Sequence, residues 1–162
     1  MSTAQQPMFK RSIISESQDQ ESAELLQQPL FSLIDLALML KQAHWNLVGL
    51  NFQSLHVQLD EIIDSVRDAS DEVAERMVTL GMPAVGRSSK VAENTTFSAY
   101  PDEFLPISDT LYQVGDALKG SIETLRAAIE RVGDLDPITE DLLIGHTAVL
   151  EKHLWMIQAQ EV

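Results

Sequence analysis

Apolar residues recur along much of this chain at steps of three and four. Leu26, Leu30, Leu33, Ala37, Leu40 and His44 keep that rhythm, which places them on one face of a helix. The helix is expected to begin near Ser22 or, past Pro29, near Leu30, because proline lacks the N–H that an interior turn needs. NLVGLN at 46–51 reads as a short connection punctuated by Gly49. A second helix is expected from Phe52 to Leu80, with the stripe Leu59, Ile62, Ile63, Val66, Ser70, Val73, Met77 and Leu80. Gly81 stands where a left-handed cap would end it. A third helix, capped by Ser108 and running to Val132, carries Leu111, Val114, Leu118, Ile122, Leu125 and Ile129. A fourth follows the break GDLDP. Asp136 caps it and Pro137 takes its first position. Its expected stripe is Ile138, Leu142, Val149, Leu150 and Trp155, and it should run to near Gln158. No segment alternates with period two long enough to make a strand.

The segment between the second and third helices, residues 81–106, holds three prolines and two glycines. A long loop in a small domain usually has topological or functional work to do. Here it can cross the length of a bundle, with a short helical turn on the way, so that the helices flanking it run parallel. The fold class is all-α: a four-helix bundle with one long crossover, the ferritin-like arrangement. Residues 1–20 are polar and aperiodic and read as a flexible tail. Residues 21–162 read as one domain, which suits a chain of this length.

Composition narrows the function classes. The chain has 25 acidic and 11 basic residues, a formal net charge of −14. Sequence-independent nucleic-acid binding needs the opposite balance, whereas such a chain gathers cations. There is no cysteine, which removes disulfides, thiolate ligands and thiol nucleophiles together. No apolar run reaches the roughly 18 residues of a membrane span, and the N-terminal stretch lacks an apolar signal core. A cytoplasmic location is expected, with the nucleoid as the alternative.

The second helix carries the chemistry. On a wheel of about 100° per residue with Leu59 at zero, His56, Asp60, Asp71 and Glu75 fall near 60°, 100°, 120° and 160°. Asp64, Asp68, Glu61 and Glu72 continue from about 140° to 220°. Adjacent like charges weaken a helix by a few tenths of a kcal/mol per pair, so acids this dense beside a histidine suggest bound cations. His56 with Asp60, and Asp71 with Glu75, are neighbours on the helix surface. The fifteen residues from His56 to Asp71 span about 22 Å, so the two pairs cannot share an ion. Two antiparallel copies of the helix could join them. A two-fold axis near Ser65 and Val66 would bring His56 and Asp60 of one copy to Asp71 and Glu75 of the other, twice per dimer. His44 would complete each site. Two imidazoles and three carboxylates suit iron(II), with zinc and manganese as alternatives. The chain has no Glu-x-x-His, the motif of intra-chain di-iron bundles.

HWN at 44–46, GLNF at 49–52, His56, Asp60, DEVAER at 71–76, MVTLG at 77–81 and DLDPITEDLL at 134–143 together resemble the Dps mini-ferritins, the DNA-binding proteins from starved cells. The resemblance covers residues 22–160. It implies a hollow homo-dodecamer with a ferroxidase centre at each two-fold: His44, His56 and Asp60 from one chain, Asp71 and Glu75 from its neighbour. It implies that iron(II) is oxidised there by hydrogen peroxide and stored as iron(III) mineral, sparing the cell oxidative damage. Glu61 and Asp64 are the expected nucleation residues. Asp134, Asp136, Glu140 and Asp141 resemble the acidic lining of three-fold pores. Trp45 would sit beside the iron or serve as packing. His146 and His153 are expected to pack or to lie at the surface, and Met77 and Met156 to belong to the core. Many members bind DNA through a Lys-rich tail. This tail offers only Lys10 and Arg11, so the charge disfavours the alternative function, a shell that compacts and shields DNA.

Overall fold

A computed structural model describes residue 11 and residues 13–161. Most of the tail expected over residues 1–20, Lys10 included, lies outside the described residues. The elements are α1 (Glu16–Asn46), β1 (Leu47–Val48), α2 (Phe52–Thr79), α3 (Ser88–Asn94), β2 (Leu105–Pro106), α4 (Ile107–Val132) and α5 (Pro137–Gln158).

Side-chain pairs fix the topology. Ser32 on α1 bonds Ser121 on α4, and Gln18 near the start of α1 reaches the carbonyl of Leu135 after α4; these two helices are antiparallel. Arg126 pairs with Glu151 across α4 and α5, and with only residues 133–136 between them these two helices are antiparallel as well. α1 and α2 are joined by a tight turn, so α2 and α4 run parallel, as the long connection requires. That connection lies along α1. Gln27 clamps both backbone groups of Val85, Asp35 accepts from Thr95, and Gln28 donates to the Asn94 carbonyl. α3 is the short helical turn within it. β1 and β2, two residues each, form a parallel bridge pairing Leu47 with Leu105, a feature too short for any periodicity to announce.

The core is built from the expected stripes. Leu26, Leu33, Leu40, Leu59, Ile62, Val66, Leu118 and Leu125 are fully buried, each contributing about 1.5–3 kcal/mol. α1 is long and apolar enough to resemble a membrane span by composition, but most of that window is buried in the bundle.

Four local expectations are corrected. α1 starts at Glu16, not Ser22 or Leu30, and runs straight through Pro29. The signal for that start is present: Ser15 and Gln18 form the S-x-x-Q capping pattern, and the Ser15 oxygen accepts from the Gln18 N–H. The helix tolerates Pro29 because fully buried neighbours, Ala23, Leu26 and Leu33, anchor it on both sides of the missing hydrogen bond. Ser108 does not cap α4; the helix opens at Ile107 directly from the bridge, and Ser108 bonds Asp109 instead. The buried face of α5 differs from its expected stripe. Leu150 is buried, but Ile138, Val149 and Trp155 are exposed, and the inward face is Thr139, Leu143, Thr147, Leu150, His153 and Ile157. This helix is apolar nearly all round, so its periodicity cannot choose a face. Met77 is buried as expected, whereas Met156 is only half-buried.

α2 ends as its sequence dictates. Gly81 adopts φ +87°, its N–H bonds Val78, and the Met82 N–H reaches back to Met77, the paired bonds of a Schellman cap. Between α2 and α5 runs a polar seam. Gln160 donates to Gln58, His153 meets Ser65 and His146 meets Glu72, at 2.8, 3.1 and 3.1 Å. Each rung lies seven residues from the next on both segments, Gln160 standing just past the end of α5, and seven is the repeat of left-handed coiled helices.

Candidate metal centre

Where α1 ends and α2 begins, three of the expected ligands converge. Among the described residues, His44, His56 and Asp60 form the one group of three or more whose ligand atoms all lie within 4.8 Å of one another. The turn between the helices makes this possible. Gly49 and Asn51 both take positive φ, the conformation glycine and asparagine accept most readily, and the chain reverses within a few residues.

The two imidazoles hold each other in place. His44 Nδ1 is 3.0 Å from the carbonyl of His56, and His56 Nδ1 is 3.0 Å from the carbonyl of His44. A carbonyl only accepts, so each Nδ1 carries a proton, and in a neutral ring so held the lone pair falls to Nε2. Locking the tautomer through the second nitrogen is how proteins present histidine to a metal. The rings stack at 3.6 Å between centroids, with Phe52 edge-on to His56. Burial pulls His44 below its ordinary pKa, against the opposing pull of the His56 carbonyl and Asp60. The ring therefore stays neutral, the form that binds metal.

Asp60 is turned toward Lys41, whose ammonium lies 2.6 Å from its Oδ1. That hydrogen bond holds the Asp60 carboxyl below the usual carboxylate range. Periodicity gave no sign of Lys41, because its part depends on how α1 and α2 face each other. Asp60 stays partly exposed and can turn toward a cation without unfolding anything.

Within one chain, Asp71 and Glu75 do not join this group. Both are exposed on the same helix, several turns away. Glu61 and Asp64 are exposed too, on the acidic flank of α2. Of the four expected pore residues, Asp134 and Asp141 are exposed and Glu140 is half-buried. Asp136 is different: it is buried, accepts from the Ile138 N–H as the N-cap of α5, and pairs with Arg76 at 2.6 Å. Burial opposes its ionisation, but the Thr139 hydroxyl and the Arg76 guanidinium outweigh it and hold the carboxyl low. Within the chain Asp136 is thus engaged as the N-cap of α5 and the partner of Arg76.

Trp45 is 65% exposed, so within the chain it is not a packing residue. His146 and His153 sit in the α2–α5 seam, as the packing expectation has it.

The apolar surface around the ligands is open. Leu50 is 92% exposed and Phe52 49% exposed, beside the exposed Trp45 and Val48. Three ligands in a corner leave a metal's remaining positions free, and the rim around them is uncovered apolar surface.

A bundle of this topology, with N/O ligands at a helix junction, is a ferritin-like protein, and the ferritin-like domain family matches residues 23–161. The DNA protection during starvation protein of Mycolicibacterium smegmatis is 38% identical over 146 residues, spanning 90% of this chain and 80% of that one. The fine tangled pili major subunit of Haemophilus ducreyi is 44% identical over 137 residues, 85% of this chain and 72% of that one. The tetragonal form of Mycobacterium smegmatis Dps superposes with a TM-score of 0.89 at 36% identity, covering 99% of this chain and 94% of that one. DpsA14 from Streptomyces coelicolor gives 0.89 at 34%, covering 95% and 92%. Within the ferritin-like class, this chain belongs to the Dps family.

Proposed function

We propose that this protein oxidises iron(II) and stores the iron(III) product. Iron(II) is the substrate, bound between His44, His56 and Asp60 of one chain and Asp71 and Glu75 of a two-fold partner. Hydrogen peroxide is the oxidant, taking one electron from each of two iron(II) ions. Twelve copies enclose the mineral, with Glu61 and Asp64 as nucleation residues and Asp134, Glu140 and Asp141 along the entry route. The observation that carries this reading is the reciprocal His44–His56 pair, which fixes two imidazoles so that their ligand atoms and that of Asp60 lie within 4.8 Å of one another. The half-built shell, with two carboxylate ligands stranded elsewhere on α2 and an apolar rim left open, supports a second copy as the source of the remainder.

Stopped-flow oxidation of iron(II) by peroxide tests it. The parent should oxidise iron rapidly, and His44→Ala combined with Asp71→Ala should slow the reaction at least tenfold, the lower end of what loss of metal-site support brings. Equal rates would end the ferroxidase reading. The alternative, protection by direct DNA binding, runs against the net charge of −14. A gel shift of plasmid DNA at low salt should show no retardation by the assembled protein.

A further inference from the structure

Arg76 stands next to Glu75 in sequence but about 100° round the helix from it, facing α5. Its Nη2 bonds Asp136 Oδ2 at 2.6 Å and its Nε bonds the Thr139 hydroxyl at 2.8 Å. Thr139 in turn donates to Asp136. Arg76 and Asp136 side chains are 12% and 3% exposed. The Leu135 carbonyl beside this junction receives Gln18 of α1, and the Asp136 N–H returns to Val132 at the end of α4. One buried fork therefore fastens the last turns of α2 to a point where the other three long helices meet.

We propose that Arg76 is a positioning residue for the two carboxylates that α2 lends to a partner's metal site. This rests on the two-chain reading above. A fork with two directed bonds fixes both the roll and the height of the α2 end, and so the direction in which Asp71 and Glu75 leave it. Metal ligation tolerates only about 0.2 Å in ligand distance, so a small rotation at Arg76 reaches the ion. The same rotation does not reach the histidine half. His56 lies twenty residues away, about 30 Å along the axis, and is held by His44 instead. Arg76 thus acts on the site its chain completes for a neighbour and leaves alone the site its chain begins.

That asymmetry gives a readout that general destabilisation does not mimic. Co-expressing a His56→Ala chain with an Asp71→Ala chain leaves roughly a quarter of the sites intact, because an isologous pair makes each contact twice. In every intact site the His56→Ala chain supplies the carboxylates and the Asp71→Ala chain supplies the histidines. Arg76→Gln is then added to one chain or the other. On the carboxylate donor it should raise the KM for iron(II) about tenfold, as outer-shell changes do, with assembly unchanged by light scattering. On the histidine donor it should leave the rescued activity alone, and Arg76→Lys should restore part of the loss. Equal effects from both placements, or none from either, overturn the proposal. If Arg76→Gln prevents assembly, Thr139→Val in the same two placements decides the matter by the same criterion. No rescue from the parental pair would refute the two-chain reading itself, an outcome separate from any effect of Arg76.

Discussion

His44 and His56 each commit one ring nitrogen to the other's backbone, and that exchange fixes two imidazoles in one helix corner beside Asp60. The spacing of His44, His56 and Asp60 was legible because helical periodicity fixes neighbours on one face and a short loop brings two faces together. The reciprocal bonds and the Lys41 contact were not, since they depend on the angle at which two helices meet. His153 shows the same limit. Its sequence allows packing or a surface place; it is buried, and its pairing with Ser65 has no signal in the sequence. Ser65 already donates to the Glu61 carbonyl, so it accepts from His153 Nε2–H, and the buried Nδ1 has no hydrogen-bond partner. Burial lowers the pKa of His153, with Lys152 adding to the effect and Glu61 opposing it. The unfolded chain therefore takes up a proton near pH 6.5 that the native chain refuses, and stability falls as pH drops through that window. Urea midpoints measured from about pH 7 to pH 5 should fall less steeply for His153→Gln, which keeps the N–H toward Ser65. Parallel profiles would show that His153 titrates alike in both states.

Elements were legible where one face is apolar and the opposite face polar. α2 follows its expected stripe and its end for that reason, except that Ala69 is buried where Ser70 is expected, and its glycine cap can be tested alone. Gly81→Ala forces a side chain into φ +87°, which should lower stability by about 1–2 kcal/mol. The measurement is chemical denaturation, with no change expected in the metal half-site at the other end of α2. A change below a few tenths of a kcal/mol would mean that the turn relaxes. α1 and α5 were harder. Pro29 argued for a helix start because the rule about its missing N–H is local, whereas the packing that overrides it comes from other helices. α5 exposes Ile138, Val149 and Trp155, side chains that its expected stripe assigns to the core and that a neighbouring copy could cover, and Ile144 is exposed beside them.

At the scale of the molecule, the four-helix topology followed from one long connection, but the surface that completes it had to be seen. Trp45, Val48, Leu50 and Phe52, close in sequence to His44 and His56, leave apolar side chains open to water. Leu50→Asp places a charge where a partner's surface would close. It should shift the assembly toward smaller species in light scattering and reduce iron oxidation with it, while the fold measured by circular dichroism stays intact. An unchanged assembly would put the interface elsewhere. The seam between α2 and α5 adds a constraint on that assembly. Its three rungs are chemically unlike: amide with amide, hydroxyl with imidazole, carboxylate with imidazole. A slide by one repeat would set Ser65 against His146 and Glu72 against Thr139, and would carry Arg76 off Asp136. The first rung lies beside His56 and Asp60, the third beside Asp71 and Glu75. α2 is thus a ruler pegged at both of its graduations, and a slip in its register would disturb at once both of the metal sites that a pair of such rulers would form.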